Sequence, residues 1–94
     1  MDNTNERMRA LDIEGLAVTV DTVKAGSWEA FKLLRAAQSA DDDFGQFDAT
    51  IALMEYATDQ TIDDVVRHCG GEDAQMLDVV RIVSQIVAGC YPKN

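Results

Sequence analysis

Residues 72–88 read EDAQMLDVVRIVSQIVA, and this stretch decides the fold. At 3.6 residues per turn, most of its apolar side chains form one continuous stripe, made of Met76, Val79, Val80, Val83, Ile86 and Val87. Ile82 widens this stripe on one side. A helix that is apolar around most of its circumference is either central in its domain or packed against a partner. Gly70-Gly71 precede the stretch and Gly89 follows it as a C′ residue, so we expect one helix over Glu72–Ala88.

The N-terminal part of the chain carries a different pattern. Residues 1–9 are polar and without period, which predicts a flexible tail followed by a single helical domain over residues 10–94. Apolar and polar residues then alternate in Leu11–Ile13 and in Leu16–Val20, on either side of Glu14-Gly15. This pattern predicts a short strand or a β-hairpin with its turn at Gly15.

Three further helices are indicated between the hairpin and the last helix. Ser27 is a suitable N-cap for the first, and Phe44–Ala57 forms the second. Thr61 with Asp64 resembles a capping box at the start of a short third helix. The sequence therefore predicts a mainly α fold, a small bundle of about four helices with a short N-terminal strand or β-hairpin.

Charge and composition exclude several classes of partner. The net charge is −9, with only eight Lys and Arg residues, so the chain lacks the basic face that nucleic acids and anionic membranes require. No apolar run approaches the length of a membrane span, and the N-terminus lacks a signal-peptide pattern. Two cysteines without a targeting segment indicate a reducing cytoplasm.

The residues that could carry chemistry form no convincing constellation. His68-Cys69 with Cys90 is the one plausible nucleophile or metal set, but adjacent helical side chains point about 100° apart. Asp41-Asp42-Asp43 does not have the spacing of a calcium loop, because Gln46 and Ala52 stand where glycine and glutamate are needed. We therefore expect no enzymatic activity, no cofactor and no metal; a small enzyme or metal protein using Cys69 and His68 is the less favoured alternative.

Large apolar side chains are the remaining feature. Trp28, Phe31, Phe44 and Phe47 are most simply core residues, but 94 residues can hardly bury them together with the last helix. Surplus apolar surface then faces another subunit or a client protein. The candidates are Phe44 and Phe47 for a client, and Val83 and Ile86 for self-association.

The order of these parts resembles a known family. The parts are a strand-like Gly15–Asp21, a Trp-headed helix at Ser27–Phe31, Asp59-Gln60 before a helix, the turn Gly70-Gly71-Glu72 and the ending Pro92-Lys93-Asn94. Together they are similar to the HK97-type tail assembly chaperones of long-tailed bacteriophages and prophages. A Val-rich last helix followed by Cys90-Tyr91 departs from that pattern, since a more polar tail is the easier match.

The resemblance implies a non-enzymatic assembly factor. Such chaperones bind the tape-measure protein in the host bacterial cytoplasm and keep it soluble until tail-tube protein, a further partner, polymerises around it. They are accompanied by a frameshifted longer form and are absent from the mature virion. The alternative is a small acidic helical adaptor or regulatory module that binds one protein partner.

Overall fold

The structure, a computed structural model, describes residues 7–92. It is mostly helical and begins with a two-stranded antiparallel hairpin, which confirms the predicted fold class at that level. The elements in chain order are β1 (Met8–Ile13), β2 (Leu16–Asp21), α1 (Thr22–Ala25), α2 (Trp28–Ser39), α3 (Asp43–Ala57), α4 (Ile62–His68), a 3-10 turn (Gly71–Asp73) and α5 (Met76–Cys90). The helices number five within this range, because Thr22–Ala25 forms an additional short helix capped by Asp21. Of the tail predicted over residues 1–9, residues 1–6 lie outside the described range, and β1 already begins at Met8.

The hairpin turns at Glu14-Gly15, as the sequence predicted. Both residues have positive φ, 52° and 90°, which is the backbone of the two-residue turn that matches the twist of paired strands. The amide of Gly15 also donates to the Asp12 carboxylate at 2.8 Å. Because Ile13 is paired with Leu16, alternate side chains of both strands lie on one face and pack against the helices.

The helix starts follow the predicted capping residues. Ser27 accepts a hydrogen bond from the amide of Ala30 at 3.1 Å and caps α2. The Thr61 hydroxyl accepts from the Asp64 amide, and the Asp64 carboxylate accepts from the Thr61 amide at 2.9 Å, so the capping box is present. These local bonds satisfy amides that a helix leaves free in its first turn.

The last helix is displaced from its predicted position. Instead of running over Glu72–Ala88, the chain makes the 3-10 turn Gly71–Asp73, becomes extended at Ala74 and Gln75, and enters α5 at Met76. Gly70 and Gly71 both have positive φ, so they turn the backbone rather than start a helix. At the other end Gly89 is inside the helix and not its C′ residue, because Leu11 of β1 packs against it and the Arg9 guanidinium donates to its carbonyl.

The core lies where α5 meets α3, α4 and the hairpin. Its fully buried large side chains include Val20 of β2, Met54 of α3, Val65 of α4 and Ile86 of α5. Helix α5 is therefore central, as expected, with its buried face on Ile82, Val83, Ile86 and Cys90. By contrast α2 packs mainly along α3 and has Ala30 as its single buried residue. One side of the α2–α3 pair consequently remains open to solvent.

Candidate functional site

A large hollow on the described surface lies between α3 and α5. It has a volume of about 700 Å³, and we call it the α3–α5 groove. Its lining comes from the end of α2, the first half of α3 and the first half of α5: Ala37, Asp43, Phe44, Gln46, Phe47, Thr50, Met76, Val80 and Ser84.

Two exposed side chains dominate the groove. Phe44 is 79% exposed and Met76 is 72% exposed. Phe44 lies in the first turn of α3 because Asp42 caps that helix, its carboxylate accepting the amide of Gly45 at 2.7 Å. Met76 is the first residue of α5, placed there by the extended residues before it. An exposed aromatic and a flexible thioether on facing helices form an apolar surface able to pack against another protein.

Carboxylates stand at or just before the start of both helices that form the groove. Asp41, Asp42 and Asp43 precede or begin α3 and are all exposed, and Asp43 itself lines the groove. Glu72 and Asp73 are exposed in the 3-10 turn shortly before Met76. No lysine or arginine lies among the lining residues. The groove is therefore an apolar surface with an acidic rim, which favours the approach of a basic segment.

The structure separates the four predicted partner-binding residues into two pairs. Phe44 and Phe47 both line the groove, with Phe47 half-buried and packed against the core. Val83 and Ile86 are fully buried within one chain, at 0% exposure. The face of the last helix that carries them is covered by α3, α4 and the hairpin, so these two side chains are core residues and form no surface for a second subunit.

A second apolar patch lies on α2. Trp28 is 69% exposed and Phe31 44% exposed, and their rings are 5.2 Å apart between centroids. The interpretation of these two aromatics, and of Phe44, as core residues is therefore wrong. Ser27 lies beside Tyr56 near the end of α3, whereas Gln46 near the start of α3 bonds the Ala40 carbonyl, so Trp28 and Phe44 are at opposite ends of the α2–α3 pair.

The side chains suspected of chemistry are occupied in structural roles. Cys69 is half-buried against the core, and burial raises the pKa of the Cys90 thiol. Both cysteines are free thiols. The Nε2 atom of His68 lies 3.0 Å from the Glu14 carbonyl, which joins α4 to the hairpin turn. Across residues 7–92 no three His, Cys, Asp or Glu side chains are close enough together to hold a metal ion.

One polar cluster was not foreseen from the sequence. The Glu14 carboxylate accepts two hydrogen bonds from Arg81 of α5, at 2.8 and 2.9 Å, and a third from Gln85 at 2.7 Å. The bonds from Arg81 and then Gln85 lower the pKa of Glu14 to about 2. Arg81 also binds Asp78 at 2.7 Å. The cluster is exposed and holds the hairpin turn against α5, so its role is to fix the hairpin in place.

Two further results concern the whole described chain. None of the helices in residues 7–92 has both the length and the apolar character needed to cross a bilayer. Comparisons of the chain with protein-family models, with curated proteins and with solved structures found no match.

Proposed function

We propose that this protein is a non-enzymatic tail assembly chaperone that binds the tape-measure protein of a long-tailed phage through the α3–α5 groove. One observation carries the proposal, namely that Phe44 and Met76 are both mostly exposed and line the same apolar groove, together with Asp43. A side chain that is mostly exposed contributes little to its own fold, whereas burial against a client stabilises the complex by about 1.5–3 kcal/mol for a side chain of this size. The family resemblance implies the identity of the client. It also implies that the chaperone acts in the host cytoplasm and is absent from the virion.

The groove suits an elongated helical client. A helix presents apolar residues three and four positions apart, and such anchors pack into a hydrophobic groove between two helices. The acidic rim would attract basic residues on the flanks of that helix and increase the rate of encounter. The apolar anchors, Phe44 above all, would set how slowly the complex dissociates.

The proposal is tested with a fragment of the tape-measure protein encoded in the same genome. We expect the unmodified protein to keep this fragment in solution and to bind it in a fluorescence anisotropy titration. Phe44→Ala or Met76→Ala should raise the dissociation constant about tenfold or more, the effect of losing an anchor worth about 1.4 kcal/mol. Raising the salt concentration should mainly slow association.

Leu77→Ala is the matched control. Leu77 follows Met76 in the same helix and is equally exposed, at 73%, but it does not line the groove. Its loss should leave the titration unchanged. Failure of the fragment to bind, or equal weakening by the Leu77 and Phe44 variants, would reject the groove as the client site.

A second candidate function is supported by the Trp28–Phe31 patch. Two exposed apolar surfaces at opposite ends of the α2–α3 pair could hold two different proteins, as an adaptor or regulatory module does. In that case Trp28→Ala would abolish capture of one partner while Phe44→Ala abolished capture of another. A chaperone with a single client site would lose its client only with the groove variants.

A further inference from the structure

The two edges of the hairpin expose different backbone groups. A two-residue turn closes on a hydrogen-bonded pair, and such pairs then alternate along the strands. The hydrogen-bonded pairs here are Ile13 with Leu16, Leu11 with Val18, and Arg9 with Val20. The amides and carbonyls of the residues between them point outward, those of β2 to one side and those of β1 to the other.

The outer edge of β2 is covered by the chain itself. The amide of Asp59 donates to the Thr19 carbonyl at 3.0 Å, and the Asp59 carboxylate accepts from the Thr19 amide at 2.9 Å. The side-chain amide of Gln60 donates to the Ala17 carbonyl at 3.1 Å. The segment between α3 and α4 thus acts as a short substitute strand on this side.

Among residues 7–92, nothing covers the outer edge of β1 in this way. Its outward backbone groups belong to Met8, Ala10 and Asp12, and none of them is hydrogen-bonded within the described part of the chain. All three residues are exposed. The pairing runs from Met8 to Ile13 without a bulge, and the strand contains neither proline nor lysine. A bulge, a proline and a lysine are among the devices by which proteins protect an exposed edge, because an open edge pairs readily with another strand.

We propose that the open edge of β1 pairs antiparallel with the same edge of a second copy of this chain, forming a four-stranded sheet in the order β2–β1–β1–β2. The charge balance of β1 favours a second copy of the chain as the partner. Within residues 7–14 two arginines balance two carboxylates, whereas the whole chain carries −9. A second copy, although equally acidic as a whole, therefore meets no net charge along β1. The acidic groove lies on helices elsewhere in the fold and would repel it.

The side chains of β1 also select a register. A two-fold axis through Ala10 places a small side chain opposite itself and sets Met8 opposite the second copy's Asp12. An axis through Asp12 would oppose two like charges, which destabilises a cross-strand pair. An axis through Met8 would move Ala10 and Asp12 opposite residues that precede the strand. The register through Ala10 is thus the one that uses all three open positions of β1.

Light scattering on two proline variants tests the proposal. The Ala10 amide points outward, so Ala10→Pro removes no hydrogen bond inside the hairpin and blocks the new pairing. Ala17→Pro is the matched control, since the Ala17 amide also points outward, but on the covered edge of β2. We expect the unmodified protein and the Ala17 variant to have twice the chain mass of 10.3 kDa, and the Ala10 variant to have the single mass with an unchanged circular dichroism spectrum. A monomeric unmodified protein at millimolar concentration, or a dimeric Ala10 variant, would overturn the proposal.

Cysteine cross-linking provides a second measurement that does not depend on the proline variant folding. Facing residues of a hydrogen-bonded antiparallel pair have Cα atoms about 5.5 Å apart, within disulfide range. Ala10→Cys should therefore form a covalent dimer on oxidation, beyond any dimer that the unmodified protein forms through its own thiols. Met8→Cys alone should not, because the two copies of residue 8 would be displaced by four residues, roughly 13 Å along the strand. Cross-linking of the Met8 variant, or of neither, would exclude this pairing, as would a monomer that binds an extended foreign peptide at this edge.

Discussion

Replacing Ile86 by alanine tests whether α5 is the core of one chain or an interface between chains. Ile86 has 0% exposure within a single chain and packs among the buried residues of α3, α4 and the hairpin. Removing its outer carbons should cost about 2–5 kcal/mol, from the lost transfer of apolar groups and from the cavity left behind. A chain of this length has a total stability of about 5–14 kcal/mol. The variant should therefore melt roughly 8–40 °C below the unmodified protein.

The measurement is urea unfolding followed by circular dichroism at two protein concentrations. At concentrations about 100-fold apart, an interface role would change the apparent stability by up to ~2.7 kcal/mol through mass action. We expect the difference between the variant and the unmodified protein to be the same at both concentrations. Met76→Ala is the control on the same helix, and its 72% exposure predicts a change of less than about 0.5 kcal/mol. A loss below ~1 kcal/mol for the Ile86 variant, or one that vanishes at high concentration, would refute the burial argument.

Two other predictions concern the contacts between the hairpin and α5. Because the folded chain lowers the pKa of Glu14 from 4.5 to about 2, the unfolded state binds more protons as the pH falls through that window, and the free energy of unfolding should fall with it. Glu14→Gln should flatten this part of the pH dependence in urea titrations from pH 6 to pH 2, and an unchanged slope would show that the Arg81 contact is not formed. A Cβ atom at Gly89 would lie 2.6 Å from Cδ1 of Leu11, so Gly89→Ala alone creates a clash. The variant should gain stability from the higher helix propensity of alanine, about 1 kcal/mol, only when Leu11 is also replaced by alanine. The double-mutant cycle should therefore show coupling above about 0.5 kcal/mol, and additivity within that limit would contradict the close packing.

Local signals in the sequence predicted much of the fold. The N-cap Ser27, the capping box of Thr61 and Asp64, and the turn at Gly15 depend on residues within a few positions of one another. Each is present as expected. The helix predicted over Phe44–Ala57 differs by a single residue from the observed Asp43–Ala57. Where an interaction joins residues close together in sequence, the local residue pattern is enough to predict it.

The features of the fold that the sequence did not predict depend on contacts between residues far apart in the chain. Gly89 looked like the end of a helix, and its place inside α5 depends on Leu11 and Arg9, at the other end of the described chain. The pairing of Glu14 with Arg81 spans 67 positions and leaves no periodic trace. Apolar periodicity indicated which face of α5 is buried, but it could not show that Val83 and Ile86 would be covered by the same chain.

The sequence predicted only part of the candidate site, because the rest of the site also depends on how the chain is assembled. Phe44 and Phe47 were selected because they follow an acidic triplet at a helix start, and both line the groove. Met76 was assigned to an apolar stripe, and only the extended residues Ala74 and Gln75 bring it to the exposed first turn of α5. The open edge of β1 depends on which strand the Thr58–Gln60 segment covers, and that is a property of the assembled chain.

The bond between Arg9 and the Gly89 carbonyl has a consequence for synthesis. These residues are 80 positions apart, and a ribosome adding about 5–20 residues per second takes roughly 4–16 s to cover that distance. During this interval β1 and β2 have emerged without the helix that covers their apolar face. The hairpin must therefore wait for α5, and the core closes only after residues 76–90 have emerged from the ribosome.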